Sequence, residues 1–264
     1  MAMRAVEAKM SDHDTKNARS VIVTGGSRGI GAATVLACAR AGWAVAVNCT
    51  RDVAAAEALV ARLRADGAEA IAVQADVADE AQVLAMFMRV DAELPPLGGL
   101  VNNAGVVDVA SRVDAMSLAR LQRMFAVNVF GSFVCAREAV KRLSTKHGGR
   151  GGSIVNLSSA AARLGSPGQY VDYAAAKGAI DTFTLGLARE VADEGIRVNA
   201  VRPGIIETEI HASGGQPDRA RQLGPQVPMQ RAGTADEVAQ AIVWLLSDAS
   251  SYTTGAVIDV TGGR

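Results

Sequence analysis

TGGSRGIG, residues Thr24–Gly31, is the stretch whose reading decides the fold. An apolar run, SVIVT (Ser20–Thr24), leads into it, and a helix-forming run, AATVLACARAG, leads out. Strand, glycine turn and helix in that order make a phosphate cradle. Glycines let the backbone bend tightly and approach a pyrophosphate, and the helix start offers free N–H groups and a positive dipole end. Gly25, Gly29 and Gly31 are spaced G-x3-G-x-G, which departs from G-x-G-x-x-G. Ser27, Arg28 and Ile30 complete the turn and join the glycines as candidate cofactor contacts.

Working outward, short apolar strands alternate with helical runs. WAVAVN (Trp43–Asn48) and EAIAVQADV (Glu69–Val77) read as the second and third strands, with helices after each. GGLVNNAG carries a fourth strand, and a long helical region follows over about Leu118 to Thr145. GGSIVNLSS, IRVNAVRPG and GAVIDVTGG supply three more, with a helix to about Glu194 after the fifth. Continuous apolar strands between helices predict one doubly wound α/β domain over residues 20–264, with about seven parallel strands covered on both faces. Residues 206–231 have weak periodicity and several prolines and glycines. A long irregular segment inside a compact domain predicts a lid.

Composition limits the function classes. The 264 residues carry 27 basic and 27 acidic side chains, which gives no basic excess for nucleic acid or an anionic membrane. No run is long and apolar enough to predict a transmembrane helix. Residues 1–19 are polar and irregular, without an apolar signal core, and are expected to form a disordered arm or a tag. Three cysteines without a CxxC pair suit a reducing compartment, here the cytoplasm. His13, His147 and His211 fit no metal spacing, so no metal is expected. Trp43 and Trp244 lie in apolar runs and are expected in the core.

Dinucleotide folds often place an acid after the second strand to bind the adenosine 2′-OH. This strand ends VNCTRD, with Cys49 where the acid is expected and Arg51 just beyond. Arg28 and Arg51 without that carboxylate suit a 2′-phosphate and predict NADP over NAD, with Asp52 nearby as the opposing feature.

VDYAAAKGAID (Val171–Asp181) is alanine-rich and predicts a helix. Tyr173 and Lys177, four apart, then share a face. A free phenol has a pKa of about 10, poorly matched to neutral pH, and a neighbouring cation favours the phenolate. The pair therefore reads as a tuned general acid/base.

TGGSRGIG, NNAG (Asn102–Gly105), NVFG from Asn128, NLSS, Tyr173-x-x-x-Lys177 and RPG (Arg202–Gly204), in this order, resemble the short-chain dehydrogenase/reductase family from about Ser20 to Arg264. Among its members, β-ketoacyl-carrier-protein reductases and glucose-type dehydrogenases look most similar. The resemblance implies Tyr173 as general acid/base and Lys177 as the residue that grips the nicotinamide ribose and lowers the tyrosine pKa. It implies Ser159 as the donor to the substrate carbonyl and Asn128 as the residue that positions a water in a proton relay. The Ser159–Tyr173 interval is 14 residues, one more than in many relatives, which keeps Ser158 as the alternative donor. It further implies cofactor contacts from Asn103, Ala104 and Gly105, from Asp76 with Val77, and from Pro203, Gly204, Ile206 and Thr208. It implies NADP(H), with NAD possible, a small carbonyl or alcohol substrate, and a homotetramer. A cofactor-sensing binding protein of the same fold, without turnover, is the competing expectation.

Overall fold

The structure is a computed structural model that describes residues 18–264. Most of the expected arm, and His13 with it, lie outside the described residues.

Seven strands form one sheet: β1 (Ser20–Val23), β2 (Ala44–Cys49), β3 (Ala70–Gln74), β4 (Leu97–Asn102), β5 (Gly152–Leu157), β6 (Ile196–Pro203) and β7 (Val257–Val260). Their order is β3-β2-β1-β4-β5-β6-β7, and every pairing is parallel. Side chains alternate across the sheet. Val21, Val23, Val45, Val47, Val101 and Val155 face one helix layer, from Gly29–Arg40, Val53–Ala65 and Ala235–Leu246. Ile22, Ala46, Ile71, Leu100, Ile154 and Val198 face the other, from Glu80–Glu93, Gly131–Leu143 and Val171–Glu190. The doubly wound expectation holds. All three cysteines are buried without disulfides, packed as small apolar residues.

The strand order reverses at β1, flanked by β2 and β4. Chains leaving the carboxyl ends of β1 and β4 diverge there and open a crevice. The glycine turn, Asn102–Gly105, Ser158–Ser159 and the segment after Pro203 all follow carboxyl ends of strands and converge on that edge.

The helical region expected over about Leu118 to Thr145 runs without interruption to Leu143, with one irregular turn. Leu118–Phe125 and Gly131–Leu143 are joined by a π-helical turn, Ala126–Phe130. Expected lid residues 206–231 contain two short helices, Ile210–Ser213 and Arg219–Leu223. Trp43 packs against the core, whereas Trp244 is 41% exposed. The core expectation for Trp244 is wrong because an apolar helical position looks the same in sequence whether another element covers it or not. Among the described residues no helix is long and apolar enough to cross a membrane, and no cluster suits a metal ion.

Candidate active site

The glycine turn is built by contacts that exclude side chains. A Cβ on Gly31 would lie 2.2 Å from the Gly25 carbonyl oxygen, and Gly25 and Gly29 have φ of 61° and 54°. Only glycine fits the first position, and the other two lie in the left-handed region. The Gly29–Arg40 helix has no side-chain N-cap, so its first N–H groups remain for an anion. Asn103 fastens the turn, with Nδ2 donating to the carbonyls of Thr24 (2.8 Å) and Gly25 (3.0 Å). The Thr24 hydroxyl accepts from the backbone N–H groups of Asn103 and Ala104, both at 3.0 Å. Buried Asn48 accepts from Gly25 N–H (3.1 Å) and donates to the carbonyls of Val73 and Ala75. Neither Thr24 nor Asn48 was expected from sequence. Their splinting of β1 to its neighbours depends on strand register, which one sequence does not display.

Beside this cradle, Arg28 and Arg51 are exposed and form no ion pair among the described residues. Cys49 is buried, and Asp52 is engaged elsewhere: its carboxylate caps the Val53–Ala65 helix by accepting from Ala55 N–H at 3.1 Å. The Asp76 carboxylate accepts from Ala78 N–H at 3.0 Å, and Val77 is buried against Gly131. The glycine backbone and the free helix N–H groups suit a pyrophosphate. The residues present fit a nicotinamide dinucleotide.

Across the edge lies a cleft lined by Ser159, Tyr173 and Lys177, together with Ile30, Asn103, Gly105, Pro203, Gly204, Ile206 and Thr208 from the expected set. Ala104, the remaining turn residues, Arg51, Asp76, Val77 and Asn128 stand outside its lining. Thr208 packs on the glycine turn, where a Cβ on Gly29 would lie 3.4 Å from its side chain.

Tyr173 and Lys177 point the same way from the Val171–Glu190 helix. Lys177 is 4% exposed, its Nζ donates to the Leu157 carbonyl at 2.7 Å, and it stands 5.6 Å from the Tyr173 ring centroid. Ser159 lines the same cleft as Tyr173, close enough for its hydroxyl to favour the phenolate. Ser158 instead donates to the Lys177 carbonyl at 3.2 Å and anchors the helix. Of the two serines, Ser159 is thus the one that meets the phenol.

Burial moves the two titrating groups apart. It raises the phenol above its usual value, which Ser159 partly opposes, and it lowers the ammonium to about 8, which Asp181 partly opposes. The expectation that Lys177 lowers the tyrosine pKa is corrected here: desolvation of the phenolate is the largest influence in the protein alone.

Asn128, fully buried in the π turn, holds the loop after β4. Its Oδ1 accepts from Val106 N–H at 3.2 Å, and its Nδ2 donates to the carbonyls of Val106 and Met124, both at 3.0 Å. A Cβ on Gly105 would lie 2.8 Å from Asn128 Oδ1 and 3.6 Å from Lys177 Nζ, so glycine lets these two groups approach. One further support escaped the sequence. Asp172, beside Tyr173, forms a bidentate pair with Arg120 (2.8 and 3.2 Å), and both side chains are at most 10% exposed. The pair locks the start of the tyrosine helix to the Leu118–Phe125 helix.

Comparisons with known proteins agree with this architecture. A family model described as Enoyl-(Acyl carrier protein) reductase matches residues 25–264. The chain is 56% identical to the uncharacterized oxidoreductase YgfF of Escherichia coli, over 92% of this chain and 98% of that one. It is 39% identical to a 3-oxoacyl-[acyl-carrier-protein] reductase of Synechocystis, over 93% and 96%. Among solved structures, a Serratia marcescens short-chain dehydrogenase/reductase mutant superposes with a TM-score of 0.84 at 33% identity, covering 93% of this chain and 97% of the other. A blue fluorescent protein from a metagenomic library, in complex with NADPH, gives 0.84 at 34% identity, covering 94% and 98%. With the glycine turn, the Ser159–Tyr173–Lys177 cluster and these matches all spanning the same sheet, the chain belongs to the short-chain dehydrogenase/reductase family.

Proposed function

We propose that the protein is an NADP(H)-dependent oxidoreductase that interconverts a small carbonyl compound and its alcohol, with Tyr173 as the general acid/base. The observation that carries this reading is the meeting of the Tyr173 phenol, the Ser159 hydroxyl and the Lys177 ammonium in one cleft beside the glycine cradle. The nicotinamide, when bound, supplies or takes the hydride. In reduction, Ser159 and Tyr173 donate hydrogen bonds to the carbonyl oxygen and polarise it. As charge develops on that oxygen, Tyr173 gives up its proton, and the alcohol leaves neutral. Lys177 balances the resulting phenolate, and the phenol recovers its proton from solvent by way of the lysine and the Asn128 side of the site. A phenol raised by burial stays protonated at neutral pH, the form that reduction needs, so alcohol oxidation gains with rising pH.

NADP is preferred because Arg28 and Arg51 have no carboxylate partner, Cys49 stands in the acid's place, and Asp52 is spent on a helix cap. Homotetramer assembly fits the apolar side chains left outside: Leu118, Phe130 and Phe133 on the helices around the π turn, and Trp244 and Tyr252 near the β7 edge. Three buried, unpaired cysteines fit the cytoplasm.

The test is a panel of ketones, aldehydes and alcohols with each nicotinamide cofactor, followed by the absorbance of the reduced form. Turnover that is greater with NADP(H) and depends on Tyr173 is expected. NADP(H) binding without turnover of any substrate would make the chain a cofactor sensor. Light scattering at micromolar protein is expected to give a tetramer, and a monomer would refute the assembly.

A further inference from the structure

The catalytic cleft is lopsided in charge. Lys177, Arg219 and Arg264 line it, and among the described residues no aspartate or glutamate side chain does. Lys177 is held by the Leu157 carbonyl beside the phenol. Arg264 also lines a second cleft with Asp259 and Glu237, so its charge is not set apart for this one. Arg219 is different. It opens the short Arg219–Leu223 helix in the segment after β6 and is half-buried. Its Nη1 donates to Gln216 Oε1 at 2.5 Å and its Nη2 to Gln169 Oε1 at 2.9 Å. The guanidinium carbon stands 5.4 Å from the centroid of the Tyr170 ring.

Each of these contacts fixes the guanidinium without neutralising it. Arg120, Arg202 and Arg231 each meet a carboxylate. Arg219 meets only amides and an aromatic face, and forms no ion pair among the described residues. The remaining N–H donors keep the planar fork that matches a carboxylate or phosphate. Val107, Leu164 and Ile210 add apolar surface to the same cleft, and apolar surface strengthens the pull on an anion. Tyr170, which orients the arginine, lies three residues before Tyr173 in the same cleft.

We propose that Arg219 is an anion anchor, and that the preferred substrate is a small carbonyl or alcohol compound bearing a carboxylate or phosphate. The inference rests on the carbonyl–alcohol reading above. Arg219 sets specificity, while the proton chemistry stays with Tyr173.

Two measurements test it on the full chain, in wild type, Arg219→Gln and Arg219→Lys. The first is kcat/KM with NADPH for matched pairs: 3-oxobutanoate with its methyl ester, and dihydroxyacetone phosphate with dihydroxyacetone. The wild type should favour the charged member of one pair by about 10-fold or more, and which pair shows it tells carboxylate from phosphate. Arg219→Gln should erase that preference through KM of the charged member and leave the neutral member within about twofold; Arg219→Lys should restore part of it. The second is calorimetry of butanoate, butanamide and inorganic phosphate with the NADP-bound protein. One anion should bind the wild type, with butanamide silent, and binding should be lost in Arg219→Gln. If no carbonyl is turned over yet this anion binding is lost on substitution, the anchor stands and the reaction reading fails. Equal losses on charged and neutral members would reduce Arg219 to a lid fastener. That result, or a wild type that binds no anion and shows no charge preference, overturns the proposal.

Discussion

The glycine turn and the cleft beside it are built by opposite means. At the glycine turn the backbone does the work: Gly25, Gly29 and Gly31 are defined by the side chains they lack, and the facing groups are main-chain N–H. In the cleft side chains do it: Tyr173, Ser159 and Lys177, which the proposed reaction uses for the proton, with Tyr170 and Arg219 in the same lining. A backbone cradle suits a cofactor common to a whole family, because its geometry survives most substitutions around it. A side-chain wall suits a variable substrate, because one replacement re-addresses it. If this division is real, the two should fail separately when mutated.

The largest expected effect is at the side-chain wall. Tyr173→Phe keeps the ring and removes the proton carrier, so turnover should fall by roughly 10²-fold or more, while NADPH affinity, read by fluorescence titration, stays near wild type. Near-normal turnover would end the mechanism, and a parallel loss of affinity would blur the division. Next is the cradle. Gly31→Ala places a methyl 2.2 Å from the Gly25 carbonyl oxygen, so the turn must open. Cofactor affinity should drop by about 10-fold or more, and saturating cofactor should recover most of kcat. Unchanged affinity would show that the turn is packing alone.

Arg51→Ala sharpens the cradle side. Its exposed guanidinium should contribute about 5- to 10-fold to NADPH affinity and little to NADH; equal effects on both would remove the 2′-phosphate assignment. Measurements of both at one salt concentration decide it, since an exposed charge is screened.

The smallest effect is one of stability. Burial lowers the Lys177 ammonium from 10.5 to about 8, a penalty of ~3 kcal/mol on the charged form. Below pH 8 the folded protein carries that penalty in full. Between about pH 8 and 10.5 the unfolded chain binds the extra proton, so stability rises with pH and the penalty is relieved. Lys177→Met removes the charge but strands the Leu157 carbonyl, a cost of about 1–3 kcal/mol. Urea unfolding should therefore find the variant up to ~2 kcal/mol more stable at pH 7 and less stable than wild type at pH 10, while its activity falls. Lower stability at pH 7 would show that the lysine is not held against a solvation penalty.

This division also explains what was legible beforehand. The glycine turn could be read because few residues meet its steric demands and because strand and helix patterns flank it. Tyr173 and Lys177 could be read because helical spacing puts them on one face. The direction of the tyrosine shift could not, since a neighbour in sequence says nothing about depth of burial. Arg219 was silent because an arginine in an irregular segment looks like any solvated cation. Its partner Gln169 lies 50 residues away, and only folding joins them. Asp172 was hidden likewise, 52 residues from Arg120. Trp244 misled because an apolar stripe reads alike under a sheet and at an open face.

The π turn at Ala126–Phe130 carries one more consequence, for insertions and deletions. Each α-helical residue advances the chain by about 100° around the axis, and a π turn accommodates one extra residue. The turn absorbs that residue and keeps the two segments in one phase: Met124 points inward before it, and Ala136, Ala139 and Leu143 point inward after it. Deleting one residue between 126 and 130 other than Asn128 would leave a continuous α-helix with its faces unchanged, so Met124 would stay in the core and Arg120 beside Asp172. Deleting a second would turn the first part by about 100° and swing both away. The turn thus holds one residue of slack, and the helix faces lose register only when the chain across it shortens by more than one.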